Sequence, residues 1–286
     1  MDELVQATDF IRFYLVGVDK QTRWQFGRPY CPVRLHTVPE GLQGASFEHD
    51  FQQLVGVDGA IYRGTVDKQT TVKLKVWVAD PRSSAWARQQ HSRWRESLGR
   101  GKETVRLYAV SRESGYWWID LRLDAVAEAD YFDQYPGRVG EIGETVTFIS
   151  DRAYWQHFDE TKIFDRESCK TARMVNLGDQ PAWLRYAITG TFDSIEIGVE
   201  DDLVTLPKPT NTGNGWFIDT DEVWPALMDI TGVDVQEQFP KAYWNKPLPP
   251  RSIDRRTSTA LTINPVNPGP DFQVEVAYTP RTEQAW

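Results

Sequence analysis

The chain has 286 residues and a formal net charge of −9, with 40% hydrophobic and 26% charged residues. That length exceeds one typical core and points to two domains, while the acidic balance argues against a role in coating nucleic acid, which rests on clustered positive charge. Cys31 and Cys169 match no metal or redox spacing and make no disulfide framework, and no apolar run approaches the ~20 residues a membrane helix needs.

The opening Met1-Asp2-Glu3-Leu4 is acidic and lacks the basic-then-apolar pattern of a secretion signal, so synthesis in a cytoplasm is expected. Residues 10–18 are rich in β-formers and read as a strand closed by an Asp-Lys turn. Residues 21–33 form an irregular strand interrupted by Pro29 and Pro32. Residues 54–64 hold two short strands about an Asp58-Gly59 turn. Residues 71–78 alternate polar and apolar, the signature of a half-buried antiparallel strand.

A helix follows. Asp80 supplies an N-cap, Pro81 the first turn and Gly99 the stop, with Ala87, His91, Trp94 and Leu98 as one apolar stripe. Strands are expected at 104–110 and 116–123, so residues 1–127 read as an antiparallel sheet or barrel with one packed helix. The composition shift in Gln134-Tyr135-Pro136-Gly137 marks a boundary.

Beyond it, strands are expected at 144–149, 170–176, 182–190 and 194–199. Residues 176–181 and 210–215 read as turns, and 216–219 as a strand. A short helix is expected over 222–229 behind a Thr220/Asp221 cap, Pro247 to Pro250 as a stiff connector, and final strands at 259–263 and 271–278. Many short strands at regular spacing indicate a β-sandwich.

Catalytic patterns are missing from the sequence: there is no GxSxG, P-loop or dinucleotide fingerprint, and His36, His49, His91 and His157 are scattered without ligand spacing. Glu200-Asp201-Asp202 reads as a turn and Asp219-Thr220-Asp221-Glu222 as helix capping rather than as a metal or glycosidase site. No cofactor or metal is expected. The helix region is rich in arginine; a solvated face accounts for it, and the functional alternative is contact with an acidic neighbour such as a second copy of the chain. The aromatic second half raises one further alternative, a carbohydrate site on Trp183, Trp216 and Trp244, beside ordinary core packing.

An ordered set of short phrases goes further. It comprises Gly56-Val57-Asp58-Gly59, the Arg/Trp helix after Asp80, Gly115-Tyr116-Trp117-Trp118, and Val175-Asn176-Leu177-Gly178-Asp179-Gln180-Pro181-Ala182-Trp183 leading to Ile188-Thr189-Gly190-Thr191-Phe192. Ile218-Asp219-Thr220-Asp221, Pro247-Leu248-Pro249-Pro250 and Tyr278-Thr279-Pro280-Arg281 complete it. Along essentially its whole length the chain resembles the distal tail proteins of long-tailed siphophages, close to those known as minor tail proteins in phages of actinobacteria.

The resemblance implies a mainly β chain with a ring-forming N-terminal split β-barrel over 1–130 and a galectin-like β-sandwich over 140–286. In some relatives the last strand returns to the first domain, which would here be 272–278. It implies a non-enzymatic virion protein at the distal tail tip, a homo-hexamer joining the tail tube protein to the tail-tip hub protein. Tape measure and receptor-binding proteins are further expected partners, with no membrane and with DNA only in transit. Six copies would carry roughly −54, suiting a channel that must not retain a polyanion. Trp86, Arg88, Arg93 and Arg95, off the helix stripe, become the expected subunit contacts. The alternative function is a carbohydrate-binding adhesion module for host cell-wall glycans.

Overall fold

The structure, a computed structural model, describes residues 10–53, 56, 58–128, 140–209, 215–251 and 258–285. The chain divides into two compact units, Met1–Gln156 with Glu283–Trp286, and His157–Thr282.

The first unit holds β1 (Arg12–Val16), β2 (Arg23–Gln25), β3 (Val33–Leu35), β4 (Phe47–Gln52), β5 (Ile61–Asp67), β6 (Thr71–Ala79), α1 (Ser84–Leu98), β7 (Thr104–Ser111), β8 (Gly115–Glu128), β9 (Glu141–Ser150) and β10 (Trp155–Gln156). Antiparallel pairing gives the order β2-β1-β7-β8-β9-β6-β3, with Gln156 of β10 set against Trp118 of β8. A flat sheet of that order would hold its edge strands about 29 Å apart. Yet β2 and β3 are joined by residues 26–32 alone, and these are coiled into turns by Arg28 N–H to Gln25 O and Cys31 N–H to Arg28 O. The sheet therefore curls into a nearly closed barrel. A register shift between Leu123 and Ala125 helps bend the long strand β8.

Alternation sets which side faces in. Val72, Leu74, Val76 and Val78 of β6 are all fully buried, with Leu107, Leu121, Val146 and Phe148 from neighbouring strands. The strand expected at 144–149 is thus β9, which pairs with β6 and β8 in the first unit. The division falls after Gln156, not near 130–140, because Val146 and Phe148 belong to the first core. The composition shift at 134–137 lies outside the described residues.

Helix α1 stops at Gly99 as expected, with φ +65°. Its start differs. The N-cap is Ser83, whose hydroxyl accepts the Trp86 N–H at 3.3 Å. Asp80 instead accepts the Arg82 backbone N–H and two of its guanidinium N–H groups, on Nε and Nη2. A ring-forming Asp–Arg fork two residues apart holds Pro81 in a turn, so helical geometry begins only at Ser84. Ala87, Trp94, Ser97 and Leu98 are buried against the barrel. Trp24 meets Trp94 edge-on at 5.7 Å and donates its indole N–H to Ser97 Oγ at 2.8 Å.

The second unit holds β11 (Glu160–Asp165), β12 (Arg173–Met174), β13 (Leu184–Thr189), β14 (Ser194–Val199), β15 (Asp202–Pro207), β16 (Gly215–Asp219), β17 (Ala226–Asp229), β18 (Thr259–Val266), β19 (Gln273–Tyr278) and β20 (Arg281–Thr282). One sheet runs β11-β19-β13-β16-β17 and the other β12-β18-β14-β15, both antiparallel. Tyr186, Ile188, Val274, Val276 and Tyr278 from the first sheet share one core with Ile195, Ile197, Leu206 and Ile263 from the second, which makes a β-sandwich. Strand β19 lies inside this sandwich, between β11 and β13, and the residues grouped with the first unit are Glu283–Trp286.

The helix expected over 222–229 is absent. Ala226–Asp229 is strand β17, paired with Trp216–Asp219. Asp221 Oδ1 accepts the Val223 and Trp224 N–H groups, a turn rather than a cap, and Pro225 leads out of it into extended backbone. The turn at 176–181 is as expected: Asn176 Oδ1 accepts the Gly178 N–H while its amide donates to Gln180 O. The turn expected at 210–215 falls largely outside the described residues.

Candidate functional site

Among the described residues, no group of three or more His, Cys, Asp or Glu side chains is placed to hold a metal ion, and no helix is long and apolar enough to cross a membrane. Both cysteines are buried; burial raises the Cys31 thiol and pushes that of Cys169 to about 12. Neither is a nucleophile near neutral pH. The features that stand out are surfaces.

The first is the outer side of α1. The four residues singled out by sequence meet different fates there. Trp86 is partly covered by the Arg82 guanidinium, 3.9 Å from its ring centre, and Arg93 lies 5.5 Å from the Trp24 ring. Arg95 turns inward and donates to Glu144 at 3.2 Å. Arg88 alone of the four is exposed without an ion pair or ring contact among the described residues.

Glu144 is the anchor of this helix. Its side chain is 8% exposed and accepts from Trp94 Nε1 at 2.5 Å and His91 Nε2 at 3.1 Å as well as from Arg95. Burial pushes its carboxyl up, but His91, Arg95 and the Trp94 hydrogen bond outweigh that, and its pKa lies below the ordinary 4.5. A buried carboxylate so fully paired locks α1 to β9.

The second surface is the hairpin β4–β5, whose strands pair only with each other. Every residue of β4 is exposed, as are all but Gly64 of β5. Its aromatic side chains gather on one another instead: His49 lies 5.1 Å from Phe47, and Phe51 lies 5.8 Å from Tyr62. Phe47, Phe51, Ile61, Tyr62 and Val66 are each more than half exposed. A two-stranded hairpin is marginal in water, and so much exposed apolar surface marks an interaction site. Sequence reading passed over β4, although Phe47-Glu48-His49-Asp50-Phe51 alternates with period two.

The third is a groove of about 820 Å³ where β1, β3 and the turns between β2 and β3 meet, walled by Phe10, Phe13, Phe26 and Leu35 and by Arg12, Arg28 and Arg34. A smaller hollow adjoins it, sharing Arg12, Phe13, Phe26 and Arg28 and adding Arg23 and Tyr14. Burial, with Tyr116 and Tyr108 nearby, pushes the Tyr14 hydroxyl to about 12, so it stays neutral. None of the four arginines takes part in an ion pair among the described residues. In a chain of net charge −9 this is a localised basic patch.

In the second unit, the rings nominated for sugar stacking are not presented together. Trp216 and Trp244 are core side chains that donate their indole N–H groups to Pro207 O and Ile197 O, at 3.1 and 3.0 Å. Trp183 is half-buried. The most exposed ring of the second unit among the described residues is Trp224, 81% exposed on the Asp221 turn, ahead of Phe158 and Tyr243.

A nearly closed antiparallel barrel with one helix at its side, followed by a two-sheet sandwich, is the fold of the phage distal tail, or Dit, proteins. In particular, the chain is similar to the Dit protein of phage SPP1, a paradigm of the hub adsorption apparatus in phages that infect Gram-positive hosts. The two share 13% identity and a TM-score of 0.65 over 94% of this chain and 98% of that one. It is also similar to a chain of the phage P2 baseplate in its activated conformation, in the structures with Ca and with Sr. In each case identity is 12% and the TM-score 0.55, over 96% of this chain and 99% of the other. No protein-family model and no curated protein matches the sequence. At these identities the likeness is one of fold.

Proposed function

We propose that the chain is a structural, non-catalytic component of a phage tail tip, in which six copies form a ring through the first unit. The ring joins the tail tube protein to the tail-tip hub protein and leaves a channel for DNA. What carries this reading is the match of both units, in order and over nearly the whole chain, to phage Dit and baseplate proteins. The net charge of −9 per copy supports it, since an acidic ring does not retain DNA in transit. Arg88, with Trp86 and Arg93 elsewhere on the surface of α1, serves as a subunit contact in this ring, and tape measure and receptor-binding proteins are further partners in the virion. Negative-stain electron microscopy of the purified full chain tests the reading. Six-fold rings are the expected result, and a monomer at all concentrations would overturn it.

A second reading, a host-glycan adhesion module, is favoured by one observation, the exposed Trp224. Its backbone N–H is held by Asp221 in the turn, and its side chain stands 81% exposed, where a sugar ring could stack on it. The two readings coexist if the sandwich is an adhesin mounted on the ring.

A further inference from the structure

The hairpin and the arginine groove are complementary in three respects. The hairpin span carries four carboxylates, Glu48, Asp50, Asp58 and Asp67, against Arg63 and the adjoining Lys68, which pairs with Glu48 and leaves Asp50 and Asp58 as acidic groups for a partner. The groove and its adjoining hollow carry four arginines without ion pairs among the described residues. The hairpin projects Phe47, Phe51, Ile61 and Tyr62 into solvent, and the apolar lining of the groove is Phe10, Phe13, Phe26 and Leu35. The hairpin makes no ladder with any other strand of its own unit, while a groove of about 820 Å³ has room for several side chains rather than a single ion.

Neither surface can pair with itself. Two arginine grooves face to face repel, as do two acidic hairpins. A two-fold dimer through either is therefore disfavoured, and the contact must run head to tail, the kind that closes into a ring. We propose that the β4–β5 hairpin of one copy seats in the Arg12–Arg28–Arg34 groove of the next copy of this chain. This rests on the ring reading and deepens it by naming the two surfaces that meet. Asp50 and Asp58 face the guanidinium groups, while Phe51 and Tyr62 cover the apolar lining. Docking gives a strand pair that is marginal by itself the third layer it lacks. The contact combines apolar burial, which sets its lifetime, with charges that set its register and its rate of encounter.

The test uses two full-length variants. The groove variant is Arg28→Glu with Arg34→Glu, and the hairpin variant is Asp50→Arg with Asp58→Arg. Light scattering and electron microscopy report assembly, and circular dichroism confirms folding; all four positions are exposed, so fold and melting temperature should be kept. Each variant alone meets like charge at every contact and should need on the order of tenfold or more protein to assemble. An equimolar mixture restores opposite charge at every contact, and rings should return at the wild-type concentration. If either variant loses its fold, the neutral pair Arg28→Gln and Asp50→Asn replaces it. Each of these should then shift assembly in the same direction by a smaller factor and weaken its dependence on salt.

Recovery on mixing establishes the pairing. If both variants form normal rings, the hairpin–groove contact is overturned while the ring reading stands. Loss without recovery on mixing also overturns it, since the altered charges then face something other than each other. Wild-type protein that never assembles overturns the ring reading and the contact with it.

Discussion

The indole N–H of Trp94 donates to Glu144 Oε1 at 2.5 Å, across fifty residues of sequence and inside the joint between α1 and β9. Because Trp94 is fully buried, that nitrogen has no water to turn to.

Glu144→Ala therefore strands the indole N–H and removes the acceptor shared by His91 and Arg95. The expected loss is about 3 kcal/mol of stability, read by urea denaturation. Glu144→Gln keeps an oxygen for Trp94 but replaces the Oε2 that accepts from His91 and Arg95 with an NH2 group, so it should cost about 1–2 kcal/mol, less than the alanine. An alanine variant as stable as wild type would show that α1 is held by its apolar stripe alone.

The same carboxylate sets an acid dependence. Its folded pKa lies below 4.5, so its stabilising contribution is complete above that ordinary value and is lost as pH falls through the lowered folded value. The stability gap between wild type and Glu144→Gln should thus be flat near neutrality and close only in acid below pH 4.5. Urea titrations at several pH values check this, and a gap that instead widens in acid would reverse the assigned sign.

Arg88→Glu is the clean test of the helix surface. Arg88 is exposed, so reversal should weaken ring assembly while leaving the melting temperature unchanged within about 0.5 kcal/mol of stability. Arg95→Glu cannot serve, because it sets a like charge against Glu144 and would act through folding. Rings that form normally from Arg88→Glu would leave this arginine as a solvated side chain.

These residues also show what a sequence can and cannot reveal. The stripe of Ala87, Trp94 and Leu98 was legible from its spacing, as was β6 from its alternation, because periodicity is local. That Arg95 turns inward was not, since its partner Glu144 lies on a strand far along the chain. The stretch at 222–229 misled because Asp221 hydrogen-bonds like a cap in a turn and in a helix alike, and only pairing with Trp216–Asp219 decides. At Ser83, the true cap stood three residues beyond an equally good candidate, Asp80, which Arg82 occupies and holds at about 2. The groove was invisible for a different reason: Arg12, Arg23, Arg28 and Arg34 come together only when the barrel curls and brings β2 near β3.

The tryptophans of the second unit separate packing from recognition. Trp216 and Trp244 fill its core and satisfy their N–H groups on backbone carbonyls, so changing either to alanine should cost about 3–5 kcal/mol and lower the melting temperature. Any effect on glycan binding would then follow unfolding. Trp224→Ala removes an exposed ring and should leave stability within about 0.5 kcal/mol of wild type. If the sandwich binds cell-wall glycans, that variant should lose binding by titration calorimetry while melting as the wild type does. Undiminished glycan binding by folded Trp224→Ala would remove the observation on which the adhesion reading stands, and no binding by the wild type would remove the reading itself.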